Sequence, residues 1–425
     1  MPRMDCQAAQ TTTRLSFRNV ARPIELENGP ELLPILDSVF RYWPREVLPD
    51  GGTDKPVITV TAGDRGRYWL RAPWLDEPVR YSNGVNLACG LGVNINQALL
   101  AGPGEYLCLH AAAAEIGGRL VIFPSAYHAG KSTLTVCLAA AGAQVFCDDI
   151  LPVVRRTGLG MALGITPRLR LPWPANLTER TIEFIEARKG AENRQYLYVD
   201  LDEQEQAPFG DTAPIGGVVL LNRREGQPAR LERIGLGEAL KHLVLRNFAR
   251  KVPMDASLDR LHEILVSSYC ARLTYSSADD AAELLMACLP DWQRHDTPPH
   301  AAEPAGRATL PDAKRGGRGR LRRCPGIRER LVDGELFLVD SSGKAIYHLN
   351  AMGTGLWRLL DGACDIDEAA AILAEAFPDT GSERIEQDVR RLIKDLLACG
   401  LLIDHAGREP PGPFVSEVRV TARTE

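Results

Sequence analysis

Pro124-Ser125-Ala126-Tyr127-His128-Ala129-Gly130-Lys131-Ser132-Thr133 is the stretch whose reading decides the fold. An apolar run, Leu120-Val121-Ile122-Phe123, precedes it, and Leu134-Thr135-Val136-Cys137-Leu138-Ala139-Ala140 follows. The order is strand, turn, helix, with Gly130-Lys131-Ser132 at the turn. Such a turn aims backbone N–H groups and a helix N-terminus at an anion. A lysine there reaches terminal phosphates, and a serine hydroxyl holds Mg²⁺. Ser125 stands where the G-x-x-x-x-G-K-[ST] spacing has its first glycine. Glycine permits positive φ and close backbone approach to phosphate, so this is the loop's main departure. A degenerate turn that binds no nucleotide is the competing reading.

Outward from the loop, residues 106–115 read as a strand, Gly117-Gly118 as its turn, and Arg119–Phe123 as the strand entering the loop. The helix from Lys131 carries Leu134, Cys137, Leu138 and Ala141 on one face, and Gly142 stops it. The next strand, Gln144–Cys147, ends in Asp148-Asp149. A carboxylate at that strand end can hold Mg²⁺ or accept a proton from an attacking hydroxyl. Paired aspartates also cap turns and helices. His110 lies in an apolar strand, where a histidine is ordinarily a satisfied core residue. If its strand pairs with the one entering the loop, it lies near the phosphates.

Downstream, 176–188 is predicted helical and 215–222 a buried strand. Helical periodicity covers 236–249, 257–270 and 278–288. Upstream, a helix at 31–39, strands at 56–61 and 67–70, and a short helix at 95–100 suggest a small α/β module. The domain plan is therefore an N-terminal α/β segment (1–102), a central domain (103–290) and a linker (291–323). A C-terminal unit (324–405) and a flexible tail (406–425) complete it. The linker holds Pro298-Pro299, Pro304 and Pro311, and it ends in a solvated basic run. In the C-terminal unit, strands at 328–332, 336–339 and 345–349 precede helices at 351–360, 366–376 and 383–398. That order is winged-helix-like.

Composition narrows the function. The chain has 425 residues, 45% of them hydrophobic and 25% charged, with net charge −5. Nothing in that balance attracts nucleic acid or an anionic membrane. Its ten cysteines include no C-x-x-C pair, which argues against structural zinc and a disulfide framework. No segment approaches the roughly 18 apolar residues of a membrane span. The expected compartment is the cytoplasm. In 383–398, Arg384, Arg390, Arg391 and Lys394 alternate with Glu383, Glu386, Asp388 and Asp395, so no basic face exists for DNA.

His110, the loop and Asp148-Asp149 together resemble the HPr kinase/phosphorylase family and its wider HPr-kinase-like set. Its members carry a histidine ahead of the loop, a G-x-S-G-x-G-K-S loop and a strand ending in Asp-Asp. The resemblance runs over roughly residues 15–290. It implies an α/β phosphate-loop domain with a mixed sheet, and an ATP- and Mg²⁺-dependent serine kinase activity. Ser125, His128, Ala129, Gly130, Lys131, Ser132 and Thr133 would hold the nucleotide, and Ser132 with Asp149 the metal. Asp148 would be the base, with His110 assisting, and Arg170 or Arg194 would stabilise the transferring group. The family's glycines are absent at Ser125 and His128, and its glutamate signature and phosphorolysis loop have no counterpart. HPr and reverse phosphorolysis are therefore not expected. Oligomer formation is implied by the family's hexamers.

The C-terminal unit resembles the PqqD-like domains, through Pro325-Gly326-Ile327, Ala345-Ile346-Tyr347-His348-Leu349-Asn350, Gly353, Leu356-Trp357-Arg358-Leu359-Leu360-Asp361-Gly362 and 388–402. These domains recognise leaders of ribosomally made, post-translationally modified peptides. The resemblance implies a leader strand added at the edge of 345–349, with Tyr347 and Leu349 on that strand. Its side chains would pack near Val389, Leu392, Ile393 and Leu396, although those positions also suit a domain core. Together the resemblances imply a kinase for a precursor peptide of the lasso-peptide type. The alternatives are a non-catalytic leader-binding adaptor and a nucleotide-regulated sensor using the winged helix.

Overall fold

A computed structural model describes residues 11–49, 54–102, 105–124, 129–248, 252–288, 321–361, 366–403 and 419–420. The expected linker lies almost wholly outside the described residues. The chain forms two compact units. One comprises Met1–Arg233, Arg246–Lys251 and Ser268–Gln293; the other comprises Ile234–Leu245, Val252–Ser267 and Arg294–Glu425.

The first unit opens with a six-stranded sheet. Its order is Arg45–Leu48, Thr12–Phe17, Ile24–Glu27, Ile58–Ala62, Tyr68–Arg71, Val79–Tyr81. Alternating residues such as Leu15, Phe17, Ile24, Leu26, Ile58, Val60, Tyr68 and Leu70 are buried on one face. Helices Leu33–Val39 and Gly84–Leu100 cover that face. The second helix is far longer than the expected 95–100. Its glycines and asparagines have weak helix propensity, but Leu87, Leu91, Ile95 and Leu99 form a buried i, i+4 stripe. Asn83 caps it by accepting from the Asn86 N–H. Gly90 is required by contact: a Cβ there would stand 2.0 Å from the Tyr81 hydroxyl oxygen.

The central sheet is mixed and nine-stranded. Thr212–Arg223 runs parallel to the loop-entry strand Arg119–Phe123 on one side and to Tyr269–Tyr275 on the other. Helices Lys131–Ala140, Glu179–Glu186 and Ala278–Cys288 pack their apolar faces on a core containing Val121, Phe123, Leu134, Val219 and Leu273. Tyr269–Tyr275 falls at the edge of the expected helix 257–270, which ends instead at Val266.

The expected strand 106–115 breaks at Ala111. Tyr106–His110 pairs with Ile150–Val154, with His110 opposite Ile150. Ala112–Ile116 pairs with Arg119–Phe123 and with Gln144–Cys147. The strand holding His110 is thus not the partner of the loop-entry strand. The neighbouring chain makes the same switch at Asp148-Asp149, between Gln144–Cys147 and Ile150–Val154. Two matched crossovers place His110 beside the aspartate pair.

The second unit contains three antiparallel strands, Arg328–Val332, Glu335–Val339 and Ile346–Leu349, followed by helices Ala351–Asp361, Ile366–Ala376 and Ser382–Ala398. Leu336, Leu338, Leu356, Trp357, Leu373 and Ile385 fill its core. Helices Leu236–Arg246 (to Leu245) and Met254–Val266, expected in the central domain, count with this unit. The Gly237 N–H donates to Asp333 at 3.0 Å, and the Met254 N–H to the Gly343 carbonyl at 3.1 Å. Arg328 pairs with Asp255, and Arg330 with Asp259. Arg419–Val420, inside the expected loose tail, adds a fourth strand parallel to Ile346–Leu349.

Candidate active site

Gly130 precedes the loop helix with φ +90°, a left-handed conformation that disfavours a side chain. A Cβ would also meet the Tyr275 hydroxyl oxygen at 2.6 Å. That hydroxyl donates to the Ala129 carbonyl at 3.0 Å, holding the turn from the neighbouring strand. Lys131, Ser132 and Thr133 occupy the first turn of Lys131–Ala140, where unpaired N–H groups collect partial positive charge. Ser125 and His128 lie outside the described residues.

Lys131 is buried, yet its side chain does not merely pack. Its Nζ lies 3.2 Å from His110 Nε2, and His110 Nδ1 lies 3.4 Å from Asp149 Oδ1. An ammonium only donates, so Nε2 accepts and the imidazole proton sits on Nδ1, facing the carboxylate. Burial lowers the His110 pKa; Asp149 opposes this, while Lys131 and Arg246 reinforce it. The ring is therefore neutral at pH 7. Lys131 is also lowered, mainly by burial, with Asp149 and Asp148 opposing. Asp149 remains 45% exposed, so an incoming group can reach it.

Asp148 is held differently. Its Oδ2 accepts from the Arg168 N–H at 2.9 Å, and the Ser132 hydroxyl hydrogen-bonds the same carboxylate. Burial, followed by the Asp149 charge, pushes its pKa up to about 6. Ser132 thus contacts Asp148, whereas the sequence reading grouped it with Asp149. The two carboxylates and the hydroxyl form a hard-oxygen donor set of the kind Mg²⁺ takes together with phosphate and water. Among the described residues, no group of three or more His, Cys, Asp or Glu has metal-holding geometry.

Arg223 and Arg246 were missed by the sequence reading. Arg223 lines a hollow with Gly130, Thr133 and Tyr275. Arg246 acts electrostatically on His110 and Lys131. Arg168 stacks over the Tyr196 ring, 4.4 Å from its centroid, and contacts Cys89. They come from separate strands and helices, so no local spacing links them to the loop. Arg170 is exposed, with its guanidinium 5.8 Å from the Tyr196 centroid; Arg194 is also exposed.

The peptide-binding residues fare otherwise. Tyr347, Leu349, Val389, Leu392, Ile393 and Leu396 are all buried in the core of the second unit. Their side chains pack in that unit's core, the use that the sequence also allowed for them. The outer edge of Ile346–Leu349 carries Arg419–Val420. His348, also missed, is 6% exposed and lies 2.7 Å from Glu335 Oε2.

No helix among the described residues is long and apolar enough to cross a membrane. No curated protein matches the chain. Residues 335–402 match the family described as coenzyme PQQ synthesis protein D (PqqD). The chain therefore carries a C-terminal PqqD domain, and that domain implies binding of a precursor peptide.

Proposed function

We propose that this protein is an ATP-dependent kinase that phosphorylates a serine or threonine of a ribosomally made precursor peptide, recruited through its leader by the PqqD domain. The convergence of Lys131, His110, Ser132, Asp148 and Asp149 at one helix N-terminus carries the reading. It is the arrangement expected of an HPr-kinase-like phosphate-loop domain.

Mg²⁺–ATP would supply the phosphoryl group and neutralise its charge. Lys131 and the helix N-terminus bind phosphate oxygens. Ser132 with Asp149 would offer oxygen ligands to the metal. His110 keeps Lys131 in place and, through Nδ1–H, orients Asp149. Asp148, with its pKa near 6, accepts the proton of the acceptor hydroxyl close to neutral pH. The acceptor O–H bond breaks, its oxygen forms the new O–P bond, and ADP leaves with the electron pair of the old P–O bond. The PqqD domain raises the local concentration of the acceptor segment.

One observation favours a second reading. Ser125 and His128 replace loop glycines, which suits a leader-binding adaptor that transfers nothing. Competition separates the two. With Mg²⁺–ATP and the precursor encoded beside the gene, excess free leader peptide should slow phosphorylation of the full precursor but not of a leaderless core peptide. Leader binding without any phosphate transfer would favour the adaptor.

A further inference from the structure

A cleft of about 60 Å³ opens beside Asp148 and Asp149. It shares no lining residue with the hollow formed by Gly130, Thr133 and Arg223. Val93, Phe146, Ile150, Leu163 and Ile165 give it an apolar wall. Asn96, Thr166, Arg168 and Tyr198 line it as well, and the Arg168 N–H donates to Asp148.

Asn96 is the informative residue. It sits on helix Gly84–Leu100 and is only 2% exposed. Neither its amide nitrogen nor its amide oxygen has a hydrogen-bond partner among the described residues. Leaving both halves of a buried amide unpaired is costly, so such groups are ordinarily satisfied. Apolar packing alone would be served better by leucine. Nearby Asn94, by contrast, donates to the Gly90 carbonyl and accepts from Trp74. The unpaired amide faces a cleft with two carboxylates at its other end.

We infer that this cleft is the acceptor subsite, taking one hydroxyl-bearing residue of an extended peptide with its main-chain amide paired to Asn96. A side-chain amide offers one donor face and one acceptor, which complements the C=O and N–H of a peptide group. With the backbone held there, a short hydroxyl side chain is directed at Asp148 and Asp149. The apolar wall excludes water from the acceptor, and the small cleft favours a short side chain such as that of serine or threonine. The inference rests on the proposed kinase reading but concerns acceptor binding, which needs no nucleotide.

The test uses the full chain and the probe N-acetyl-L-serine N-methylamide, a serine flanked by two peptide groups. Ligand-observed NMR measures its binding without ATP. The wild type should bind it, and Asn96→Leu should weaken binding by about tenfold, the effect of one lost hydrogen-bonded pair. Val93→Trp fills the cleft from an exposed position and should also abolish binding, which covers the case where Asn96→Leu misfolds. Equal binding by the wild type and both variants, or no binding by the wild type, overturns the inference. The kinase reading is judged separately, by phosphate transfer in the wild type. An inert protein that still binds the probe through Asn96 would overturn the kinase reading and support the subsite.

Discussion

His110 Nδ1 lies 3.4 Å from Asp149 Oδ1, while its other ring nitrogen touches the Lys131 ammonium. One neutral imidazole thus links the loop lysine to the carboxylate pair. The link exists because strand pairing breaks at Ala111 and again at Asp148-Asp149. Replacing His110 with alanine should leave the fold intact and slow phosphate transfer by about 10²-fold. Replacing it with glutamine should recover part of the rate, because an amide can still bridge Lys131 and Asp149. Steady-state kinetics of the two variants check this; equal losses would remove the bridging role.

Asp148 sets a pH dependence. Its carboxylate must be ionised to accept a proton, and its pKa is pushed up to about 6. Mg²⁺ at Asp149 offsets the charge that, after burial, raises this value. The rate should therefore be level above pH 7 and fall on the acid side at or below about pH 6, by about tenfold per unit once the carboxylate is protonated. In Asp148→Asn the rate should be low and this limb absent. A pH–rate profile at saturating Mg²⁺ distinguishes the two.

Acid should also loosen the second unit. Burial lowers the pKa of both His348 and His262; Glu335 opposes the shift at the first, and Arg330 reinforces it at the second. The unfolded chain, with histidines near 6.5, then binds more protons than the folded one. The stability that these histidines contribute is complete above pH 6.5 and declines as pH falls through 6.5 toward their lower folded values. Hydrogen exchange of the Ile346–Leu349 amides should quicken between pH 7 and 5, after correction for intrinsic rates. A pH-independent opening free energy would contradict this.

The pairing of Arg419–Val420 with Ile346–Leu349 has a consequence for peptide capture. If a leader adds to that same edge, the chain's own tail competes with it. Removing residues 404–425 should then tighten leader binding several-fold, chiefly through a faster on-rate. Fluorescence anisotropy with labelled leader measures this, and unchanged affinity would place the leader elsewhere.

Gly90 gives a packing test. Alanine there drives its Cβ into the Tyr81 ring, and overpacking of this kind costs about 1–3 kcal/mol. Tyr81→Ala should relieve most of the penalty in the double variant. Denaturant midpoints of the three variants test the coupling.

These features were legible in the sequence to different degrees. The hairpin of the second unit was readable because Asp333-Gly334 supplies both positive-φ residues of a tight turn. The strand–loop–helix around Gly130 was readable because its apolar runs bracket a G-K-S. The break at Ala111 was not, since Ala111–Ala114 carries no turn signal and the switch is made by long-range pairing. Nor was the start of Tyr269–Tyr275, because the helical spacing of Leu258, Leu261 and Leu265 runs up to it without a break signal. Lys131, Asp148 and Asp149 announced themselves by motif. Asn96 and Arg223 did not, because each reaches the site from an element with its own unrelated local pattern. The apolar stripe of Ser382–Ala398 was legible as a core face, and the structure places it in the core.

The central claim is phosphate transfer at the Lys131–Asp148–Asp149 site. Mass spectrometry of the neighbouring-gene precursor, after incubation with the protein and Mg²⁺–ATP, tests it directly. The account predicts a gain of one phosphoryl group on a serine or threonine with the wild type, and none with Lys131→Ala. An unmodified precursor with both proteins, although the leader still binds, would contradict it.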